Sequence, residues 1–335
     1  MGNPWAYDFS AIGRRAAPLM VIIGSDSDPR SQRGGYGMSG NSDVHQLIPG
    51  TLQFDQLNLS RQFYNPKSRP DLAPYDCVLN LVTDPDQHPK TLELLRKLLR
   101  GYRGRVINRP DAVVRSSRDQ VARRLSGIEG LRVPKVVRLR NPKPGAAPAA
   151  MERAGLGFPV IVRLAGTHTG QIVGRVNSAE ELDEACRGSG DYVLTEFIDF
   201  ASADGLYRKY RLWSFGQRTV FKHVIISDAW NIHNKDRSRI MPGRPDLIEE
   251  ERRLFSRPDG TLPDHVHAIF DNVRARLGLD FFGMDFGIDR HGQTVLFEAN
   301  ATMSYAMTFE PPFKYLELAG PPARDAFKQM LFPSK

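Results

Sequence analysis

Residues 281–303, FFGMDFGIDRHGQTVLFEANATM, constrain this chain more than any other part of its sequence. Two apolar runs lie on either side of the polar segment 289–292, which predicts two antiparallel strands joined by a turn. Because side chains two residues apart share one face of a strand, Glu298 and Asn300 should project together. Asp285, on the other strand, then lies almost opposite them. The sequence therefore predicts three polar side chains, two of them carboxylates, inside an otherwise apolar hairpin.

The two carboxylates have two interpretations. Burial of neighbouring carboxylates costs several kcal/mol per ion unless their charge is compensated. A divalent cation such as Mg²⁺ compensates it, and Mg²⁺ is usually bound by a few protein oxygens together with nucleotide phosphates. Alternatively, Asp285 and Glu298 each pair with one of the chain's many arginines. The residues of the hairpin do not decide between these alternatives.

Length, composition and charge limit the classes of protein to which this chain can belong. The 335 residues predict two or three domains, because one domain usually has about 100–200 residues. No apolar run approaches the roughly 18 residues that cross a membrane. Cys77 and Cys186 stand in no metal-binding or redox spacing, which is typical of a reduced, cytoplasmic protein. The net charge of +8 favours anionic partners, from nucleotides and carboxylate substrates to nucleic acid, but it is spread along the chain and does not select among them.

The first third of the chain predicts a small α/β unit. Short apolar runs that end in polar loops indicate strands at 19–24, 75–82 and 105–110, with an amphipathic helix at 91–102. The same signals predict the later elements. The helices are expected at 116–125, 178–188 and 245–279 (broken near 257–260), with a short one within 141–157. The strands are expected at 133–139, 158–164 and 191–200, with one more after the Gly-rich turn in 165–176 and two within 207–227.

Several familiar motifs are absent or out of place. GYGMSG (35–40) has the spacing of a dinucleotide-binding turn, but a polar loop separates it from the preceding strand and no helix follows. No P-loop sequence occurs. His265 and His267 lie two apart in a predicted helix and so point apart, which argues against a shared metal. Neither cysteine has neighbours that would activate a nucleophile.

Residues 158–170, FPVIVRLAGTHTG, predict a phosphate-binding turn. Arg163 ends a strand, and the Gly-rich turn after it can bring backbone N–H groups to phosphate oxygens. The guanidinium adds a forked, charged donor. Farther along, the strand in 191–200 stops abruptly at polar groups, where an adenine ring could lie, and a basic cluster that includes Lys209 and Arg211 follows.

With these elements in this order, residues 105–310 resemble the ATP-grasp superfamily. That superfamily includes D-alanine–D-alanine ligase, glutathione synthetase and the ligases that add glutamate to a ribosomal protein. The strongest part is GMDFGID…GQTVLFEANATM, which is similar to the family's Asp…Glu-x-Asn magnesium hairpin. The resemblance implies an α/β (α+β) class and the ATP-grasp fold, in which two α+β lobes grip ATP. Its three parts would be an N-terminal pre-ATP-grasp domain (1–112), a small lobe with the Gly-rich phosphate loop (113–200) and a large lobe with the magnesium hairpin (201–335).

The resemblance also implies the site residues. The ligands of one or two Mg²⁺ ions, for which Mn²⁺ could substitute, would be Asp285, Glu298 and Asn300. The adenine and ribose would lie against Glu196, Phe197, Ile198 and Asp199. The phosphates would lie against Arg163 and the turn residues Gly166, Thr167, Thr169 and Gly170. The residue that faces the γ-phosphate and the reaction centre would be Arg211.

The chain departs from the family at three points. Arginine stands at position 163 where the family usually has lysine, which keeps the charge but changes the donor geometry. The second nucleotide-binding lysine has no clear match, and Arg118 or Lys135 could replace it. His168 makes the phosphate turn unusual, so a catalytic or substrate-binding role is expected for it.

The activity implied by the resemblance is ATP-dependent carboxylate–amine ligation. ATP phosphorylates the carboxylate, the amine attacks the acylphosphate, and ADP and phosphate leave. No enzyme nucleophile is needed, in agreement with the two ordinary cysteines. Two alternatives stay open: an ATP-grasp phosphotransferase, whose acceptor keeps the phosphate, and a nucleotide-binding module without turnover.

Residues 207–241 are dense in basic and aromatic side chains, which predicts an acidic or peptide-like substrate. The candidate substrate contacts are Lys209, His223, Trp230 and His233. Alternatively, Trp230 and His233 pack a surface loop. The expected partner is an amino acid or peptide with a carboxylate; nucleic acid and membrane are not expected, and the chain could form a homodimer.

Overall fold

The computed structural model describes residues 19–27, 39–48, 50, 52–60, 64–65, 70–166, 172–257 and 260–333. Within them, four parallel strands form the first sheet: β1 (Leu19–Ile23), β2 (Phe54–Asn58), β3 (Cys77–Asn80) and β4 (Arg105–Ile107). Their order across the sheet is β2–β1–β3–β4. Helices α1 (Pro89–Leu98) and α2 (Pro110–Val114) follow β3 and β4. β3 is buried along its whole length, as expected for a parallel strand covered on both faces.

The second sheet comes from the middle of the chain and is antiparallel. Helix α3 (Arg118–Leu125) and the two-residue strand β5 (Leu131–Arg132) precede it. Its elements are β6 (Val136–Leu139), α4 (Ala146–Arg153), β7 (Val160–Leu164), β8 (Ile172–Val176), α5 (Ala179–Ala185) and β9 (Tyr192–Glu196). The strand order is β6–β9–β7–β8. Helices α4 and α5 cover one face around a core that includes Val160, Leu182 and Leu194.

The third sheet is the largest. Its new strands are β10 (Tyr207–Phe215), β11 (Arg218–Ser227), β12 (Phe281–Ile288) and β13 (Thr294–Asn300). The order is β11–β10–β12–β13–β5, antiparallel except that β5 pairs in parallel with β13. The helices of this part are α6 (Asn234–Ile240), α7 (Pro245–Arg253), α8 (Asp264–Leu277) and α9 (Gly320–Leu331). No helix among the described residues is long and apolar enough to cross a membrane.

The two faces of this third sheet are buried against different neighbours. Leu212, Met284 and Phe286 point to a core that includes residues of α8. Alternate residues Trp213, Phe215 and Phe281 point the other way and pack with α9 and the first sheet. Each such side chain contributes roughly 1.5–3 kcal/mol when fully buried. The second face continues along β10 and β12 to Arg211 and Asp285, where its neighbours change from apolar to polar.

The sequence located most of these elements. The hairpin of 281–303, the strands joined at 215–217 and the helix break near 257–260 are all present. Ser178 caps α5 by accepting from Glu181 N at 3.2 Å. The sequence did not predict β2, α2, β5, α6 and α9. The boundaries of the three expected domains stay predictions; the structure adds that β5, from 113–200, pairs with the third sheet.

Candidate functional site

A cavity of about 670 Å³ lies between the second and third sheets. Drug-sized ligands and cofactors usually occupy cavities of about 300–1,000 Å³. Phe197, Ile198, Trp230 and Phe297 make one part of the wall apolar and aromatic. Another part carries the charged side chains Arg118, Arg163, Lys209, Arg211, Asp285 and Glu298. The cavity therefore offers a flat apolar region and a charged region to one elongated ligand.

The hairpin places its polar residues as its sequence predicts. In the register of β12 and β13, Asp285 lies opposite Glu298 and Gly283 opposite Asn300. The register shifts between Asp285 and Phe286, which marks a bulge beside the carboxylate pair. Asp285 is only 3% exposed and Asn300 only 7% exposed. Two carboxylates are thus held side by side at the inner wall of the cavity.

Asp285 is compensated by two cations of β10. Arg211 donates from Nε to Oδ1 at 2.5 Å and from Nη2 to Oδ2 at 2.7 Å. Lys209 Nζ is 3.8 Å from Oδ2. Burial opposes ionisation of Asp285, but the Arg211 guanidinium outweighs it and holds the pKa of this carboxyl below its usual range. Burial also lowers the pKa of Lys209.

Glu298 is compensated by a cation from α3. Arg118 donates from Nη2 to Glu298 Oε1 at 2.7 Å and from Nη1 to the carbonyl oxygen of Phe297 at 3.3 Å. The arginine pairing that the sequence left open is therefore present for both carboxylates. A metal site needs an additional argument from the structure.

That argument comes from Asn300. Its Oδ1 atom is buried and accepts no hydrogen bond from any residue that the structure describes. A buried acceptor without a donor costs about 1–3 kcal/mol, so a ligand that satisfies it is favoured. Carboxylate oxygens have spare lone pairs, so Asp285 can coordinate a cation while Arg211 binds it. Among the described residues, no group of three or more His, Cys, Asp or Glu side chains is arranged to hold a metal ion. Two carboxylates and one amide suit Mg²⁺, which keeps other oxygen ligands.

Arg163 adds a further cation to the cavity, where the charge of Glu298 only partly compensates it. It lines the cavity from β7, at a bulge between Val162 and Arg163 in the pairing with β8. Its guanidinium forms no hydrogen bond with a described residue. Burial, together with the neighbouring Arg118, lowers the pKa of Arg163 to about 10. A buried guanidinium without an acceptor favours an anionic ligand with several oxygens, such as a phosphate.

Solved structures identify this architecture. No protein-family model matches the sequence, and no curated protein matches it. A RimK domain protein, ATP-grasp, from Sphaerobacter thermophilus DSM 20745 superposes with a TM-score of 0.50 at 13% identity, over 90% of this chain and 98% of that one. The chain has the ATP-grasp fold.

Two further structures agree with that fold. VanG D-Ala:D-Ser ligase from Enterococcus faecalis has a TM-score of 0.56 at 14% identity, over 94% of this chain and 99% of that one. D-alanyl-alanine synthetase A from Vibrio cholerae O1 biovar eltor str. N16961 has a TM-score of 0.56 at 14% identity, over 95% and 98%. The predicted α/β class and ATP-grasp fold are confirmed.

Three of the four residues expected around the base and ribose lie at the apolar end of the cavity. Glu196, Phe197 and Ile198 line the cavity. Phe197 meets Trp230 edge to face, with ring centroids 5.3 Å apart, and the Arg175 guanidinium carbon is 4.7 Å from the Phe197 ring. Asp199 is not among the lining residues and pairs with Arg290 at 3.4 Å.

The residues expected to bind the phosphates also lie partly inside and partly outside the cavity. Arg118 and Arg163 line the cavity, whereas Lys135 is outside it and donates to the carbonyl oxygen of Gly155 at 2.8 Å. Gly166 begins the turn with a φ of +73°, a conformation that favours glycine. The predicted turn residues Thr167, His168, Thr169 and Gly170 lie outside the described residues.

Among the substrate candidates, Lys209, Trp230 and His233 line the cavity. Burial and the nearby Lys209 lower the pKa of His233, so it is neutral near pH 7. His223 is 6% exposed and is not among the lining residues, and it lies opposite Arg211 in the β10–β11 register. Burial and the surrounding cations, first among them Arg211, hold the pKa of His223 well below its usual range. The substrate role expected of His223 stays a prediction.

Sequence reasoning missed two parts of the wall. Thr302, Met303 and Ser304, directly after the hairpin, line the main cavity. A smaller cavity of about 60 Å³ lies beside Glu298 and Asn300 and is also lined by the loop after β3, including Asp84 and Asp86. The signal was present in TDPDQHP, a polar segment at the carboxyl end of a parallel strand, where ligands of α/β sheets often bind.

Proposed function

We propose that this chain is an ATP-dependent carboxylate–amine ligase that uses Mg²⁺. One observation carries the proposal: the main cavity joins an aromatic wall to a charged region in which Arg163 has no hydrogen-bonded acceptor among the described residues, and Asn300 Oδ1, in the adjoining small cavity beside Glu298, has no donor among them. A triphosphate with its metal ion supplies both missing partners. ATP also has the length and the flat base that such a divided cavity accommodates.

The base would lie between Phe197, Ile198 and Trp230, and the phosphates would lie toward Arg118 and Arg163. Bound Mg²⁺, held by Asp285, Glu298 and Asn300, would neutralise charge on the phosphoryl oxygens. The guanidinium of Arg163 donates to phosphate oxygens from the small-lobe side. Arg211, fixed in orientation by Asp285, presents its charge to the reacting group from the large-lobe side.

The carboxylate substrate attacks the γ-phosphorus, which gives an acylphosphate and ADP. The amine then attacks the acyl carbon: a C–N bond forms, the C–O bond to phosphate breaks, and phosphate leaves with the electron pair. The amine loses a proton in the same sequence. The chain's contribution is to hold the reactants and stabilise negative charge, because no enzyme nucleophile takes part.

The substrate we propose is an amino acid or a peptide, bound through its carboxylate near Lys209 and His233. Modification of a peptide or protein, a cytoplasmic location and a homodimer stay predictions.

The test is the fate of the γ-phosphate. The protein would be incubated with Mg²⁺, ATP and single amino acids or dipeptides, with and without hydroxylamine, which converts an acylphosphate into a hydroxamate. Ligation predicts ADP, free phosphate and hydroxamate in wild type and none in Glu298→Ala. Glu184→Ala, on the exposed surface of α5, is the matched control. A phosphorylated product without free phosphate would instead establish the phosphotransferase alternative.

If neither wild type nor Glu298→Ala hydrolyses ATP with any substrate, the ion pairs Arg211–Asp285 and Arg118–Glu298 are purely structural contacts.

A further inference from the structure

The loop after β3, residues 83–88 (TDPDQH), contacts both lobes of the ATP-grasp cleft; we refer to it as the bracket loop. Its own backbone is firmly held. Thr83 N and Asp84 N both donate to the carbonyl oxygen of Gly40 at 3.0 Å. Asp84, only 1% exposed, accepts at Oδ1 from the backbone N–H groups of Asp86 and Gln87 at 2.8 and 3.1 Å. The bracket loop is therefore rigid enough to position what it touches.

On the small-lobe side, the bracket loop holds the start of the phosphate turn. Gln87 donates from Nε2 to the carbonyl oxygen of Gly166 at 2.7 Å, and its Oε1 accepts from Ser39 Oγ at 2.7 Å. The approach is close, because a Cβ at Gly166 would lie 3.4 Å from Gln87 Cγ. Arg138 reinforces this contact by pairing with Asp86 at 2.9 Å.

On the large-lobe side, the bracket loop holds the end of the metal hairpin through hydroxyl groups. Thr302 Oγ1 donates to Thr83 Oγ1 at 3.0 Å, and Thr83 and Ser42 are joined by a 2.9 Å hydrogen bond. Ser42 Oγ in turn donates to the carbonyl oxygen of Ala301 at 2.6 Å. Since each hydroxyl has one proton, the chain runs from Thr302 through Thr83 to Ser42 and Ala301. Both anchored residues directly follow Asn300.

We propose that Gln87 and Thr83 are positioning residues: they fix the distance between Gly166, just past the end of β7, and the proposed metal ligands of the hairpin. The inference rests on the proposed function and extends it to the N-terminal sheet. Phosphoryl transfer depends on placement of the reacting groups, and a misplacement of about 1 Å can reduce the rate about a hundredfold. The bracket loop contacts both Gly166 and Thr302.

A purely structural role would give a different result. If Gln87 only stabilised the fold, its loss would lower the melting temperature and leave affinity for nucleotides unchanged. A positioning role predicts that loss of Gln87 lowers the affinity for Mg·ATP selectively, because Mg·ATP is the ligand that reaches both anchors. AMP, which has only the phosphate nearest the ribose, should not depend on it.

The test uses Gln87→Met, which keeps the length of the side chain and adds no charge but removes the donor to Gly166. Affinities for Mg·ATP and AMP would be measured by calorimetry on the full chain. We expect Mg·ATP to bind ~10-fold more weakly, which is the usual effect of losing one hydrogen bond near a charged group. AMP should bind within about twofold of wild type. Gln329→Met, at an exposed position of α9, is the matched control and should change neither.

Thr83→Val tests the other anchor, because valine has the shape of threonine without its hydroxyl. At fixed ATP, we expect the Mg²⁺ concentration for half-saturation to rise about fivefold, on the scale of a lost hydrogen bond. Mg·ATP affinity equal to wild type in both variants would overturn the proposal, as would equal losses for Mg·ATP and AMP. If wild type itself does not bind Mg·ATP, the proposed function fails, and the positioning role fails with it.

Discussion

Arg211 binds both carboxylate oxygens of Asp285, at 2.5 and 2.7 Å, from the neighbouring strand of the same sheet. The two residues are direct partners in the register of β10 and β12. This geometry keeps a buried carboxylate ionised without a metal ion, at a position that lines the cavity. The same pair therefore serves the stability of the fold and the chemistry that we propose.

Arg211→Met should destabilise the protein by about 3–5 kcal/mol, because it leaves Asp285 buried with only the more distant Lys209 as compensation. Urea unfolding would measure the loss. Mg²⁺ should stabilise this variant more than wild type, since the cation replaces the lost charge. The double variant Arg211→Met, Asp285→Asn should recover part of the loss. A cost below about 1 kcal/mol for the single variant would show that the pair is not effectively buried.

Asn300→Asp should lower the stability of the metal-free protein and raise its affinity for Mg²⁺. A third carboxylate beside Asp285 and Glu298 raises the free energy of the metal-free protein by repulsion and burial, and it gives Mg²⁺ another charged oxygen ligand. We expect a lower melting temperature without metal and a larger increase on adding Mg²⁺ than in wild type. Equal Mg²⁺ responses in the two proteins would place the metal elsewhere.

Trp230 should report nucleotide binding by fluorescence. Of the chain's three tryptophans, Trp213 is completely buried and Trp5 lies outside the described residues, whereas Trp230 lines the cavity. Mg·ATP should change the emission of wild type. Trp230→Phe should lose that change and keep the increase in melting temperature, because phenylalanine retains an aromatic wall. An unchanged fluorescence response in the variant would exclude Trp230 from the base end.

Lys222 predicts a specific pH dependence of stability. It is 4% exposed, donates to the carbonyl oxygen of Ala306 at 2.6 Å and lies 4.3 Å from the centroid of the Phe309 ring. Burial, together with the charges of Arg211 and Arg237, lowers the pKa of Lys222 to about 7, and Glu251 only partly opposes this.

The folded pKa of Lys222 is thus below its ordinary value of 10.5. Between these two pH values the unfolded chain binds one more proton, so this residue makes stability rise with pH, by about 1.4 kcal/mol per unit. Urea unfolding at pH 7.5, 8.5 and 9.5 should show a slope smaller by that amount in Lys222→Met. Identical slopes for the two proteins would mean that Lys222 stays charged in the fold.

The hairpin was predictable because the residues that define it are close together in the sequence. Period-two alternation placed Glu298 and Asn300 on one face, and the turn at 289–292 set Asp285 opposite them. The fold followed from a resemblance in motif order that survives at 13–14% identity to solved structures.

The partners of these residues were not predictable, because they are distant in sequence. Arg118 reaches Glu298 across 180 positions, and Gln87 reaches Gly166 across 79. Nothing in the local pattern separates Arg118 from Lys135 as a phosphate residue; only the packing of α3 against β13 turns the first toward the cavity. Strands β2 and β5 also depend on their neighbours, since their short and partly exposed sequences carry little signal of their own.

The central claim is that the hairpin holds Mg²⁺ beneath a nucleotide, and the melting temperature tests it most directly. ATP would be titrated into wild type and Glu298→Ala with and without Mg²⁺, and Glu184→Ala would serve as the control. At ~100 times the dissociation constant, ligand should add about 2.7 kcal/mol to the free energy of unfolding. We predict this stabilisation in wild type and the control only when Mg²⁺ is present, and its loss in Glu298→Ala. No stabilisation of wild type by Mg·ATP, or equal stabilisation of wild type and Glu298→Ala, would contradict the claim.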